Sequence, residues 1–180
     1  MAMEKVYNVL VLCKGNSARS IMAEGLINVM GHGRFKAYSA GSHPVGQVNP
    51  LAIEQLQSIG YETEHLRSKS WDEFTGANAP HLDFVITVCD DTAGESCPTW
   101  FGAPVSTHWG FHDPCTPETQ ELRRAAFGKV FREIMNRVHL FVNLPMGMLD
   151  MAAIHHELLQ LSNLHVETLE DVHERWVRIN

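Results

Sequence analysis

Residues 6 to 12, Val-Tyr-Asn-Val-Leu-Val-Leu, form a nearly unbroken apolar run rich in β-branched side chains, and a helical pattern begins only eight residues beyond it, at Ser20. A strand with no polar face is buried on both sides. Such strands belong to parallel sheets covered by helices. The rest of the chain repeats the alternation. Ser20 to Met30 carries Ile21, Met22, Leu26, Ile27 and Met30 at close to helical spacing and stops at Gly31-His32-Gly33. Phe35 to Ala40 reads as a second strand, and Leu51 to Ile59 as a helix opened by Pro50 and closed by Gly60. Leu82 to Val88 is the next strong strand and Val105 to Trp109 a short one. Helical patterns follow over Glu118 to Val142 and Leu149 to Leu161. The expected fold is α/β: a four-stranded parallel sheet with helices on both faces and a C-terminal helical extension. Residues 1–162 are expected to form one domain and residues 163–180 a polar, acid-rich tail.

Parallel sheets bind ligands beyond the carboxyl ends of their strands. Two predicted strands end on a cysteine, the first on Cys13 and the third on Cys89. This topology can bring both thiols to one rim. After Cys13 the chain runs Lys14-Gly15-Asn16-Ser17-Ala18-Arg19-Ser20. These are poor strand formers whose backbone N–H groups need acceptors. A loop of successive amides closed by a helix N-terminus makes a nest for an oxyanion, and the fork of Arg19 can grip two of its oxygens. Lys14 to Ser20 are therefore the expected oxyanion-binding residues, with Cys13 as nucleophile. The same positive field is expected to lower the Cys13 thiol pKa, with Ser20 donating a hydrogen bond to the thiolate.

The net charge of −7 argues against general binding to nucleic acid or to anionic membranes, both of which favour a basic surface. No apolar run approaches the roughly 20 residues that cross a bilayer. The N-terminus lacks a signal-peptide cleavage pattern, so a cytoplasmic location is expected. Four cysteines, Cys13, Cys89, Cys97 and Cys115, are too few for a disulfide scaffold in a chain of 180 residues. Cys89, Cys97, His108 and His112 include a familiar His-x3-His, but seven residues between the cysteines is wide for structural zinc, and no metal is expected. Expelling an oxygen from the oxyanion calls for an acid. Asp113, held extended by Pro114, is the candidate.

The stretch CKGNSARSIMAEG resembles the active-site loop of the low-molecular-weight protein tyrosine phosphatase fold, and more closely that of the bacterial arsenate reductases built on it. AGSHPVGQVNPLAIEQL, RSKSWDEF, DFVITVCDDTAGESCP and HWGFHDP follow in the order that family shows, and the resemblance covers roughly residues 5 to 160. Two departures matter. Ile21 stands where the phosphatases usually carry Pro, as in the reductases, and Ala18 replaces a second loop cysteine found in many members. The resemblance implies reduction of arsenate to arsenite, with Cys13 attacking, Arg19 binding and Asp113 as general acid. Cys89 and Cys97 would be the further thiols. It implies no bound cofactor, with electrons from glutathione and glutaredoxin in preference to thioredoxin. The alternative is a phosphotyrosine or phosphate-monoester phosphatase using the same Cys13, Arg19 and Asp113.

Overall fold

The structure, a computed structural model, describes residues 4–163. The first strand, β1 (Tyr7–Cys13), leads into helix α1 (Arg19–Met30), then β2 (Phe35–Gly41) and α2 (Pro50–Ser58). A 3₁₀ turn at Trp71–Phe74 precedes β3 (Phe84–Thr87), the short α3 (Asp90–Ala93) and β4 (Val105–His108). The long α4 (Gln120–Val142), a 3₁₀ turn at Met146–Met148 and α5 (Met151–Asn163) complete the described chain. The sequence pattern contains all of these but α3 and the two 3₁₀ turns. The tail expected over 163–180 lies, beyond Asn163, outside the described residues.

The four strands pair in parallel in the order β2-β1-β3-β4. Val9 to Leu12 are fully buried at the centre, as a strand covered on both faces must be. One face carries Val9 and Val11 into a core with α1, α2, α4 and α5, where Phe84, Trp109, Phe127 and Phe141 are the large fillers. Leu10, Leu12 and Val85 face the other way onto a smaller cluster closed by Phe74 of the first 3₁₀ turn, with Trp71 and Trp100 beside it. Helices α1 and α2 approach closely at Gly25, where a Cβ would fall within 3.0 Å of Leu56 Cδ1. Among the described residues, no helix is long and apolar enough to cross a membrane.

The strand order fixes where a site can form. From β1 the chain moves to β2 on one side, then returns to place β3 on the other. The crevice between the carboxyl ends of β1 and β3 is therefore the point where the winding direction reverses, the usual ligand position in such sheets. Cys13 is the last residue of β1, and Cys89 lies two residues past β3.

Candidate active site

The loop after β1 turns its carbonyls outward. Lys14 O accepts from His43 N, Gly15 O from Val45 N and from Ser68 Oγ, and Ser17 O from Asn49 N. With the carbonyls anchored this way, the amides of Gly15, Asn16, Ser17 and Ala18 donate to no partner among the described residues. Asn16 makes the bend possible by adopting a left-handed conformation (φ 45°), which Asn tolerates better than most residues. Its fully buried side chain ties the loop down: Nδ2 donates to Ser20 Oγ at 2.9 Å, and Oδ1 accepts from Lys69 N at 2.9 Å. Gly41, at the end of β2, packs against the back of the loop. A Cβ there would fall 2.9 Å from Cys13 O and closer still to Lys14 O.

Cys13 and Cys89 are both buried free thiols, and they lie close enough for each to shift the ionisation of the other. The two thiols shift in opposite directions, Cys89 down and Cys13 up. The Cys89 thiol is lowered to about 5, first by the hydrogen bond from Cys13, then by those from Thr92, against the opposing effect of burial. Thr92 Oγ1 lies 3.0 Å from the Cys89 sulfur, and Lys14 N donates to it at 3.3 Å. The Cys13 thiol is pushed up, because it is the donor to Cys89 and because it is buried; Arg19 opposes the rise. This corrects the expectation that the loop field alone would make Cys13 the thiolate. Two thiols in contact cannot both ionise cheaply, and Cys89 has the better supply of donors.

Two further expectations need revision. The Lys14 amide donates to Cys89, so the run of unpaired loop amides begins at Gly15. Ser20 is fully buried and its Oγ takes the hydrogen bond from Asn16; among the described residues none joins it to Cys13.

Arg19 opens α1, with no acid in the helix's first turn to compete for it. Its Nη1 donates to Phe111 O at 3.0 Å, which aims the guanidinium, and its Nη2 faces Asp113 Oδ2 at 3.7 Å. Asp113 is exposed on the turn after β4, and its Oδ1 accepts from Cys115 N at 2.9 Å. The loop, Arg19, Asp113, Cys13 and Cys89 thus share one rim. Cys97 stands apart. It is exposed on the segment after α3, with its thiol held up by burial and by the charge of Glu95. Trp109 is fully buried against Phe141 and serves packing, while Phe111 acts through its carbonyl. A cavity of about 290 Å³ opens beside Asp113, between its turn and the Lys129–Val130 face of α4.

Several contributors were not anticipated. Glu24 lies in the buried stripe of α1 and accepts from Ser39 Oγ at 2.8 Å. Burial pushes its carboxyl up, and the nearby Lys69 opposes this. Burial lowers Lys69 in turn. The signal was present: an acid among the apolar positions of an amphipathic helix. Thr92 gave no signal, since only the fold brings it onto Cys89.

Residues 8–148 match the family described as low molecular weight phosphotyrosine protein phosphatase. An arsenate reductase of Bacillus subtilis is 37% identical over 134 residues, which is 74% of this chain and 93% of that protein. Among solved structures, an arsenate reductase from Archaeoglobus fulgidus superposes with a TM-score of 0.60 at 30% identity, covering 74% of this chain and 98% of that one. An arsenate reductase described in the phosphate binding state gives a TM-score of 0.57 at 28% identity, covering 74% of this chain and 97% of the other.

Proposed function

Because the chain belongs to the low molecular weight phosphotyrosine protein phosphatase family and is 37% identical to an arsenate reductase over most of that enzyme's length, we propose that it reduces arsenate to arsenite with electrons from thiols. The observation that carries this reading is the approach of Cys89 to Cys13: the amide of Lys14, the residue next to Cys13, donates to the Cys89 sulfur at 3.3 Å. A hydrolase of this fold needs one sulfur and then water. A reductase needs a second sulfur within reach of the first.

Arsenate enters the nest of Gly15–Ala18 amides and the Arg19 guanidinium. Cys89, the more readily ionised of the two thiols, takes the Cys13 proton, and the Cys13 thiolate attacks arsenic. Asp113 protonates the departing oxygen, which leaves as water, and Cys13 carries the arsenic as a thioester. Cys89 then passes its proton to an arsenic-bound oxygen and, as the thiolate, attacks the Cys13 sulfur. The sulfur–arsenic bond breaks with its electron pair remaining on arsenic, which is thereby reduced and released as arsenite. The two thiols are oxidised to a Cys13–Cys89 disulfide. A further thiol clears that disulfide.

Glutathione with glutaredoxin is the donor this reading favours. Cys97 is exposed, makes no hydrogen bond to Cys13 or Cys89 among the described residues, and has a thiol held up by burial and Glu95. A protonated thiol is a poor attacker.

The test is arsenate reduction with glutathione and glutaredoxin, and separately with thioredoxin, by the wild type and by Cys13→Ser, Cys89→Ser and Cys97→Ser. Cys13→Ser and Cys89→Ser should lose turnover with every donor, and Cys97→Ser should keep most of it with glutathione and glutaredoxin. Full activity of Cys89→Ser would refute the two-sulfur relay. The match to a phosphatase family keeps a second reading in view, hydrolysis of phosphate monoesters by Cys13, Arg19 and Asp113. Its mark is release of phosphate without reductant, at a rate that Cys89→Ser does not lower.

A further inference from the structure

Helix α3 spans only Asp90–Ala93, with Cys89 as its N-cap. Four residues cannot hold themselves in a helix, since nucleation alone costs more than one turn returns. Something outside the turn must fix it. Two of its tethers end on the Cys89 sulfur itself, one from Thr92 Oγ1 within the turn at 3.0 Å and one from Lys14 N outside it at 3.3 Å. A third does not. Asp90 Oδ1 lies 2.9 Å from His108 Nε2, and His108 Nδ1 lies 2.7 Å from Thr87 Oγ1. Thr87 and His108 are register partners at the ends of β3 and β4, so the imidazole stands on rigid backbone. Gly110 leaves the contact room: a Cβ there would sit 3.2 Å from Asp90 Oδ1 and 3.3 Å from His108 Nε2.

We propose that Asp90 and His108, backed by Thr87, are positioning residues that latch the turn carrying Cys89 to β4 and so hold its sulfur beside Cys13. Consecutive residues are pinned in two places: Cys89 within the rim and Asp90 out over Gly110. Nε2–H donates to the carboxylate in either state of the ring. Nδ1 accepts from the Thr87 hydroxyl when the ring is neutral and donates to it when the ring is charged. The latch therefore closes in both states. This inference rests on the relay above for its purpose. Once Cys89 enters a disulfide, its sulfur loses the charge that attracted Thr92 and Lys14, and the Asp90–His108 contact is the tether that remains. It governs how readily the turn opens to present that disulfide to a resolving thiol.

The Asp90 side chain is 94% exposed and that of His108 36%, so replacing either leaves the core intact. The experiment follows initial alkylation of each cysteine in the reduced wild-type chain and its variants by peptide mass spectrometry, with hydrogen exchange of the backbone. Asp90→Ala and His108→Ala should each speed Cys89 alkylation about twofold to fivefold, the worth of one largely exposed ion pair. The double variant should be no faster than either single one, because both remove the same contact. Asp90→Asn, which keeps the acceptor oxygen, should stay near wild type. Cys97, outside the latch, should be unchanged, and faster exchange should be confined to residues 89–93. An unchanged Cys89 rate, an equal rise at Cys97, a multiplicative double variant or loss of protection throughout β3 and β4 would each overturn the proposal. These readouts need no arsenate, so the latch can hold where the relay fails, and the reverse.

Discussion

At Cys13 the neighbour decides the chemistry. Its place at the start of the loop that leads into α1, with Arg19 lowering it, would ordinarily favour a thiolate, yet the neighbouring Cys89 and burial push it up. Which of the two thiols ionises first depends on the donors around Cys89. Thr92 is fully buried, so Thr92→Val removes its hydroxyl with little change of shape. The Cys89 thiol, now at about 5, should then titrate about one pH unit higher, the worth of one hydrogen bond to a charged group. Ultraviolet thiolate absorbance measures this directly, and an unmoved midpoint would remove Thr92 from the account. None of this is legible from residues 13 to 20 alone, because the partner that matters is 75 positions from Lys14.

At the scale of elements, the sequence announced the strands and long helices through features that act locally. β1 is apolar on both faces, α1 stops at a glycine-rich turn, and α2 carries Pro50 at its first position with Asn49 capping Leu51 N. α3 had no such announcement. Asp90-Asp91-Thr92-Ala93 has no apolar period, and the turn exists because tertiary contacts hold it. The end of β2 matters for a different reason. Gly41 pairs with Cys13 and leaves no room for a side chain behind the loop. Gly41→Ala should push the Cys13–Lys14 backbone forward, lower stability by about 1–3 kcal/mol as overpacking does, and weaken inorganic phosphate binding about tenfold. Thermal unfolding and calorimetric titration with phosphate measure the two effects. Unchanged phosphate affinity would mean that the nest does not depend on β2.

For the whole molecule, the sulfur pair links folding to pH. Unfolded thiols titrate near their ordinary 9.0, whereas folded Cys89 titrates at about 5. Between those values the unfolded chain holds a proton that the folded one has lost, so stability from Cys89 rises with pH and is lost as pH falls through 5. Cys13, raised above its ordinary value, has the opposite sign: its contribution is present below 9.0 and lost at higher pH. The melting-temperature difference between the wild type and a Cys13→Ser, Cys89→Ser double variant should therefore widen from pH 5 to 9 and narrow above it. The corresponding difference in unfolding free energy should change by at most about 1.4 kcal/mol per pH unit. A flat difference would mean that folding does not shift the two thiols. The fold class and the rim were readable because burial patterns survive in sequence. The charge on Cys89, the occupied Lys14 amide and the Asp90–His108 contact were not, because each joins residues that meet only when the sheet is assembled.

The parallel arrangement of β1 and β3 has a consequence during biosynthesis. Neither strand can meet the other until the intervening β2 and α2 have been made, and until then Cys13 sits in an open polypeptide as an ordinary thiol. A chain still emerging from the ribosome, or one cut short before residue 89, carries no activated sulfur to be consumed by stray oxidants. The activated pair arrives only with the finished sheet.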